Sequence, residues 1–170
     1  LSSMPSHNQL KDPEDNGSKI FEETLHILAE HHPDLTYIVK PHPATDEKTF
    51  RQIKTIVSNA RLPNIKIANI HPSALAERAL FFIGNGVSTT FTVAKSFGIP
   101  TIEYTEYDDE TMAATQGSST NPKLVTHFIL RDRTLLANTV SEIRSQPSNV
   151  LTPETFLDEE YDLVLQKLAF

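Results

Sequence analysis

The sequence predicts one α/β domain with a mainly parallel sheet covered by helices on both faces, and three observations carry that reading. Short β-branched and aromatic runs alternate with helix-periodic runs along the whole chain, the pattern of successive βαβ units. The 170 residues suffice for a buried core without disulfides or metals. No internal repeat, low-complexity tract or linker divides the chain, so residues 1–170 read as a single domain.

In chain order, Leu1-Ser2-Ser3 reads as the end of a strand and residues 4–17 as a loop, since Pro5, Asn8, Pro13, Asn16 and Gly17 break any periodicity. Ile20, Phe21, Thr24, Leu25 and Leu28 then recur at helical spacing, with Ser18 as cap and Pro33 as stop. Thr36-Tyr37-Ile38-Val39 is a short buried strand. It runs into Lys40-Pro41-His42-Pro43, where two prolines can extend neither ladder nor helix. Thr45 or Asp46 caps a second helix whose apolar face is Phe50, Ile53, Ile56 and Val57. A strand around residues 65–67 and a short helix from Pro72 or Ser73 through Ala79 come next.

Leu80-Phe81-Phe82-Ile83 is the most hydrophobic strand and ends at Gly84-Asn85-Gly86. A helix starting near Ser88 turns Phe91, Ala94 and Phe97 inward and stops at Gly98, which suits the left-handed end position. Pro100 opens a strand from Thr101 to Tyr104. Residues 105–122 are polar and acidic and read as a long loop of the functional or mobile kind. Residues 124–130 read as a strand. Asp132 caps a helix carrying Leu135, Leu136, Val140 and Ile143, which Pro147 ends, and Thr152-Pro153-Glu154 starts a last helical stretch through Leu168.

Composition excludes several function classes. The formal net charge of −7 argues against general affinity for nucleic acid, which needs basic surface to displace counterions. Two acidic stretches, residues 103–110 and 154–162, read as solvated surface. With no cysteine there is no disulfide framework, thiolate metal site or cysteine nucleophile, which suits a reducing cytoplasm. The chain has no apolar run of the ~20 residues that a membrane span needs, and no basic-then-apolar leader. Because it opens on Leu1, it reads as a piece of a longer protein. His31-His32 and the scattered His7, His26, His71 and His127 form no ligand spacing, so no metal site is predicted.

Open parallel sheets bind ligands beyond the carboxyl ends of their strands, and three unusual segments fall there. Gly84-Asn85-Gly86-Val87-Ser88-Thr89-Thr90 can cradle a phosphate: glycines let backbone approach, and Ser88, Thr89 and Thr90 add hydroxyl donors before a helix start. The same letters also make a turn and a helix cap. Thr89 stands where a dinucleotide fingerprint needs its third glycine, and the Gly-Lys-Ser/Thr of a P-loop is missing. A Gly-x-Ser-x-Gly nucleophile elbow is also missing. His42, held stiffly between prolines, can donate to a phosphate oxygen or protonate a leaving phosphate, with Lys40 adding positive charge. A lone histidine is more often structural than catalytic. The third segment is the loop after Tyr104.

Taken together and in this order, Tyr37-Ile38-Val39-Lys40-Pro41-His42-Pro43, residues 79–84, Ser88-Thr89-Thr90 and Ala94-Lys95-Ser96-Phe97-Gly98-Ile99-Pro100 resemble the C-terminal half of GT-B glycosyltransferases. The likeness, from about Thr36 to Tyr104, is to bacterial enzymes of capsule, lipopolysaccharide and teichoic-acid assembly, including sialyltransferase-like and CDP-glycerol glycerophosphotransferase-like families. It implies a Rossmann-like three-layer sandwich that is one half of a GT-B fold. It further implies His42 at the donor phosphate or leaving group, Lys40, Gly86, Ser88, Thr89 and Thr90 around the phosphates, and Ser73 near the base or ribose. Many GT-B enzymes carry a ribose-binding glutamate where this chain has Val93, which favours cytidine-type over uridine-type donors. No cofactor is implied beyond the nucleotide-sugar donor itself. The glycan acceptor would sit on an N-terminal domain not present here, so this piece alone is not expected to be active. The implied location is the cytoplasm, with peripheral membrane contact through the missing part.

Two other readings compete. Non-hydrolysing UDP-N-acetylglucosamine epimerases share the two-domain architecture, although Val93 departs from their acidic position as well. A non-catalytic α/β binding module, without any nucleotide site, is the other.

Overall fold

The computed structural model describes Leu10 and residues 13–146. Among the described residues eleven elements follow one another: α1 (Pro13–His31), β1 (Tyr37–Val39), α2 (Glu47–Asn59), β2 (Ile65–Ile67), α3 (Pro72–Ala76), β3 (Phe82–Gly84), α4 (Thr90–Ser96), β4 (Thr101–Thr105), α5 (Asp109–Ala114), β5 (His127–Leu130) and α6 (Arg133–Ser145). Every pairing among the described strands is parallel, as the alternation of strands and helices requires. The architecture is α/β and consistent with a Rossmann-like fold, but the strands form two small sheets, β1-β2 and β3-β4-β5.

The sheets part between β1 and β3. Residues 36–38 of one and 81–83 of the other line a shared cleft of about 520 Å³, with Leu75, Arg78 and Ala79 over it. β1 and β3 thus face one cleft from separate sheets, with no ladder pairing between them among the described residues.

Helices cover both faces. Ile20, Leu25 and Leu28 of α1 and Leu136 and Val140 of α6 pack with Val39, Ile83, Ile102, Tyr104 and Ile129 in the main core. A smaller cluster on the opposite face joins Ala76, Phe82, Phe91 and Ala94. Adjacent Phe82 and Ile83 fall in different clusters because successive strand residues point to opposite faces.

Several boundaries differ from the sequence expectation. α1 begins at Pro13, five residues before the expected cap Ser18, which lies inside the helix. Proline suits a first helical turn because the N–H it lacks has no partner there. Leu10, expected in a loop, is buried and bridges to Tyr107. α3 stops at Ala76, capped by the His71 ring, and β3 starts at Phe82, leaving Leu80 at the cleft and 38 % exposed. The 105–122 segment is not a bare loop. It contains α5, whose cap Asp108 accepts from the Thr111 N–H. Before β5, the Thr101 side chain adds to the backbone bond from the Thr126 N–H to its carbonyl (3.1 Å): its hydroxyl donates to the Leu124 carbonyl (2.7 Å) and accepts from the same Thr126 N–H (3.0 Å).

Other boundaries agree. Asp46 caps α2, Asp132 caps α6, and Gly98 ends α4 at φ +67°. The Gly98 N–H reaches the Lys95 carbonyl and the Ile99 N–H reaches Ala94, the paired bonds of a Schellman turn. The expected terminal strand at Leu1, the stop at Pro147, the acidic stretch 154–162 and the last helical stretch lie outside the described residues.

Candidate functional site

The loops after β1 and β3 leave the two strands that line the shared cleft, and they carry the motifs singled out above. Lys40 follows β1 directly and is half-buried, Pro41 is buried, and His42 is exposed. The Ala44 N–H donates to His42 Nδ1 at 3.1 Å, while the Thr45 N–H closes a turn onto the His42 carbonyl at 2.9 Å. With Nδ1 accepting, the neutral ring carries its proton on Nε2. The exposed edge of His42 is thus a hydrogen-bond donor.

After β3, Gly86 is buried and does not use a positive φ. The Ser88 hydroxyl accepts from the Thr90 N–H (3.3 Å) and the Thr90 hydroxyl (3.0 Å), so Ser88 is the side-chain cap of α4. Its own O–H remains a donor. Thr89 is exposed and makes no capping bond. The Thr90 hydroxyl is committed to Ser88. Ser73, in the first turn of α3, is bonded to His71 Nδ1 at 2.7 Å, next to Ala74 and Leu75 at the cleft. Val93 packs against the smaller core cluster, where an acid would be costly.

The residue that sequence reasoning misread is Glu103. Placed above in a solvated acidic stretch, it is fully buried. Ile102 and Tyr104 face the main core, and strand alternation turns Glu103 to the other side. There Tyr107 donates its hydroxyl to Glu103 Oε1, and Tyr107 in turn touches the Thr120 hydroxyl at 3.2 Å. Glu103 Oε2 has no hydrogen-bond partner among the described residues. Burial pushes the carboxyl above its usual range, opposed by Ser119, Tyr107 and the Val87 amide. The available signal was a carboxylate inside a strand covered on both faces.

Two further polar groups brace this rim. Asn85, fully buried, donates from Nδ2 to Thr24 Oγ1 and to the Tyr104 carbonyl (3.0 Å each), and its Oδ1 has no hydrogen-bond partner among the described residues. Arg131 bonds Glu23 Oε2 through two nitrogens at 3.3 Å and also holds Glu106, while Tyr104 donates to Glu23. Burial first, then Glu23, pushes the Tyr104 hydroxyl well above its ordinary range. This cluster ties the carboxyl ends of β4 and β5 to α1.

Among the described residues, no group of three or more His, Asp or Glu is placed to hold a metal ion, and no helix is long and apolar enough to cross a membrane. Comparison with protein-family models, curated proteins and solved structures finds no match of any of the three kinds.

Proposed function

We propose that the chain is the nucleotide-sugar donor-binding domain of a GT-B-like glycosyltransferase in capsule or lipopolysaccharide synthesis, whose other half holds the glycan acceptor. One observation carries the reading furthest. The Lys-Pro-His-Pro loop and the Ser/Thr loop, far apart in sequence, leave the carboxyl ends of β1 and β3, two parallel-sheet strands that line one cleft, and such strand ends are where parallel sheets take ligands.

In this reading His42 Nε2–H donates to a donor phosphate oxygen, and Lys40 adds charge. The free O–H groups of Ser88 and Thr89 are further donors. As the glycosidic bond to phosphate breaks, negative charge grows on the departing nucleotide, and donors already aimed at it stabilise that change. Val93, in a packing position, leaves ribose recognition to other groups and leans the donor towards CMP-sugars or CDP-alditols.

A non-catalytic α/β module is the second reading, favoured by one observation: the Ser73 and Thr90 hydroxyls are already engaged within the protein. Calorimetric titration with CMP, CDP, UMP and UDP at neutral pH, without metal, separates the two. Cytidine-selective binding that His42→Ala abolishes supports the donor site; uridine selectivity removes only the cytidine preference. Binding to none of them, repeated with the full-length parent, favours the module.

A further inference from the structure

The cleft between the two sheets has the dimensions of one strand. Residues 35–38 form one wall and residues 80–83 the other. A strand residue fills roughly 160 Å³, given its rise, the spacing of strands and the thickness of a layer. The cleft of about 520 Å³ thus takes about three of them, the length of β1 and of β3. Its walls are strand edges as well as side chains. The Phe82 N–H donates to the Pro100 carbonyl at 2.9 Å, so Phe82 and Gly84 turn their peptide groups to β4, and Ile83 between them turns its N–H and C=O towards β1. Across the cleft, the Tyr37 N–H donates to the Asn64 carbonyl (2.8 Å) and the Ala68 N–H to the Val39 carbonyl (3.0 Å), so Ile38 turns inward likewise. Ile83 is 2 % exposed. Its peptide groups need a protein partner, and β4 is not that partner.

The course of the chain points to the partner. Leu10 is buried and bridges to Tyr107, beyond the carboxyl end of β4. From there α1 runs back to the amino ends, since His31 lies a few residues before β1. The chain before Leu10 therefore arrives at the carboxyl rim, where a strand parallel to β1 and β3 would deliver it. α1 would then be the crossover of a βαβ unit ending in β1. Residues 1–9 span up to ~30 Å when extended, which covers a three-residue strand and the two strand spacings to β4.

We infer that the cleft is the slot of one further parallel strand, and that this chain's own N-terminal segment fills it, with Leu1-Ser2-Ser3 between β1 and β3. The strand joins the two sheets into one, pairs the Ile83 peptide groups and covers Leu80, which is 38 % exposed, and the half-buried Phe81. Its carboxyl end lies between the exits of the His42 and Ser88 loops. The inference rests on the cleft and on the course of the chain, and not on the donor-site reading.

The test is nuclear magnetic resonance on the isotope-labelled 170-residue chain. Through-space contacts from the Ile83 amide should reach residues 1–3, and that amide should exchange at least about 100-fold more slowly than its intrinsic rate. Contacts to residues 147–170 instead, or to a second copy in a mixture of labelled and unlabelled chains, overturn the assignment. So does an Ile83 amide that exchanges at its intrinsic rate. Removing residues 1–9 should release Ile83 while Ile102, inside the β3–β4 ladder, stays protected. Equal Ile83 protection in the two chains overturns the inference. Where the shortened chain does not fold, Ser2→Pro combined with Ser3→Pro keeps the length and removes one strand donor towards each wall. That variant should speed Ile83 exchange more than Ile102 exchange, and an unchanged Ile83 rate counts against the strand.

Discussion

Gly98 and Gln116 hold the same left-handed backbone, φ +67° and +53°, at the ends of α4 and α5. A Cβ on Gly98 would meet nothing within 4 Å, so Gly98→Ala should cost only backbone strain, about 1 kcal/mol in urea denaturation. Gln116 already carries that strain, and Gln116→Gly should raise stability by about 0.5 kcal/mol once glycine's extra chain entropy is set against it. Glu103 adds a pH signature. Burial raises its folded-state pKa, so its contribution is whole below the ordinary carboxyl value of 4.5 and is lost as pH rises through the elevated value. Asp34, held low by its bond to Arg144, and the caps Asp46 and Asp108, held low by the Thr49 and Thr111 N–H groups, act in the opposite sense and lose their contribution as pH falls. Urea midpoints of Glu103→Gln should therefore lack the wild-type decline on the alkaline side.

At the scale of elements, caps were the most readable feature. Asp46 and Asp132 each accept from the N–H three residues on, as aspartates before an apolar-periodic run should. Asp108 obeys the same rule with Asp109 and Glu110 in the first turn, so α5 was also legible inside the acidic stretch. Strand edges were not, because side chains can extend the pairing beyond the ladder. Thr101, 1 % exposed, does so at the start of β5. Thr101→Val keeps the shape but strands the Leu124 carbonyl, while the Thr126 N–H keeps its bond to the Thr101 carbonyl. It should cost about 1 kcal/mol in urea denaturation.

At the scale of the molecule, the separation of the two sheets does not divide the core. Tyr37 and Val39 of β1 belong to the same buried cluster as Ile83, Ile102 and Ile129 of the larger sheet. Unfolding should accordingly be one cooperative transition, with far-UV circular dichroism and tyrosine fluorescence coinciding in urea; two separated midpoints would show that the β1-β2 unit melts alone. Asn85 contributes to that unity by joining α1 to the β3–β4 junction. Asn85→Ala should cost about 2 kcal/mol, since Thr24 and the Tyr104 carbonyl each lose a buried donor.

Local patterns were enough to determine the α/β class, the parallel sense of the strands, the caps and the glycine stop of α4. Periodicity, capping and left-handed backbone act within a few residues of one another, and the sequence displays them directly. The same patterns put His42 and Ser88 on strand-end loops. What only the tertiary structure decided depends on partners distant in the chain: the break between β1 and β3 and the burial of Glu103. A charged residue in an acidic run reads as solvated until it is known which face of the strand it occupies. For Glu103 that depends on Tyr107, Ser119 and the Val87 turn closing over it, and no local property of residues 103–110 specifies that closure.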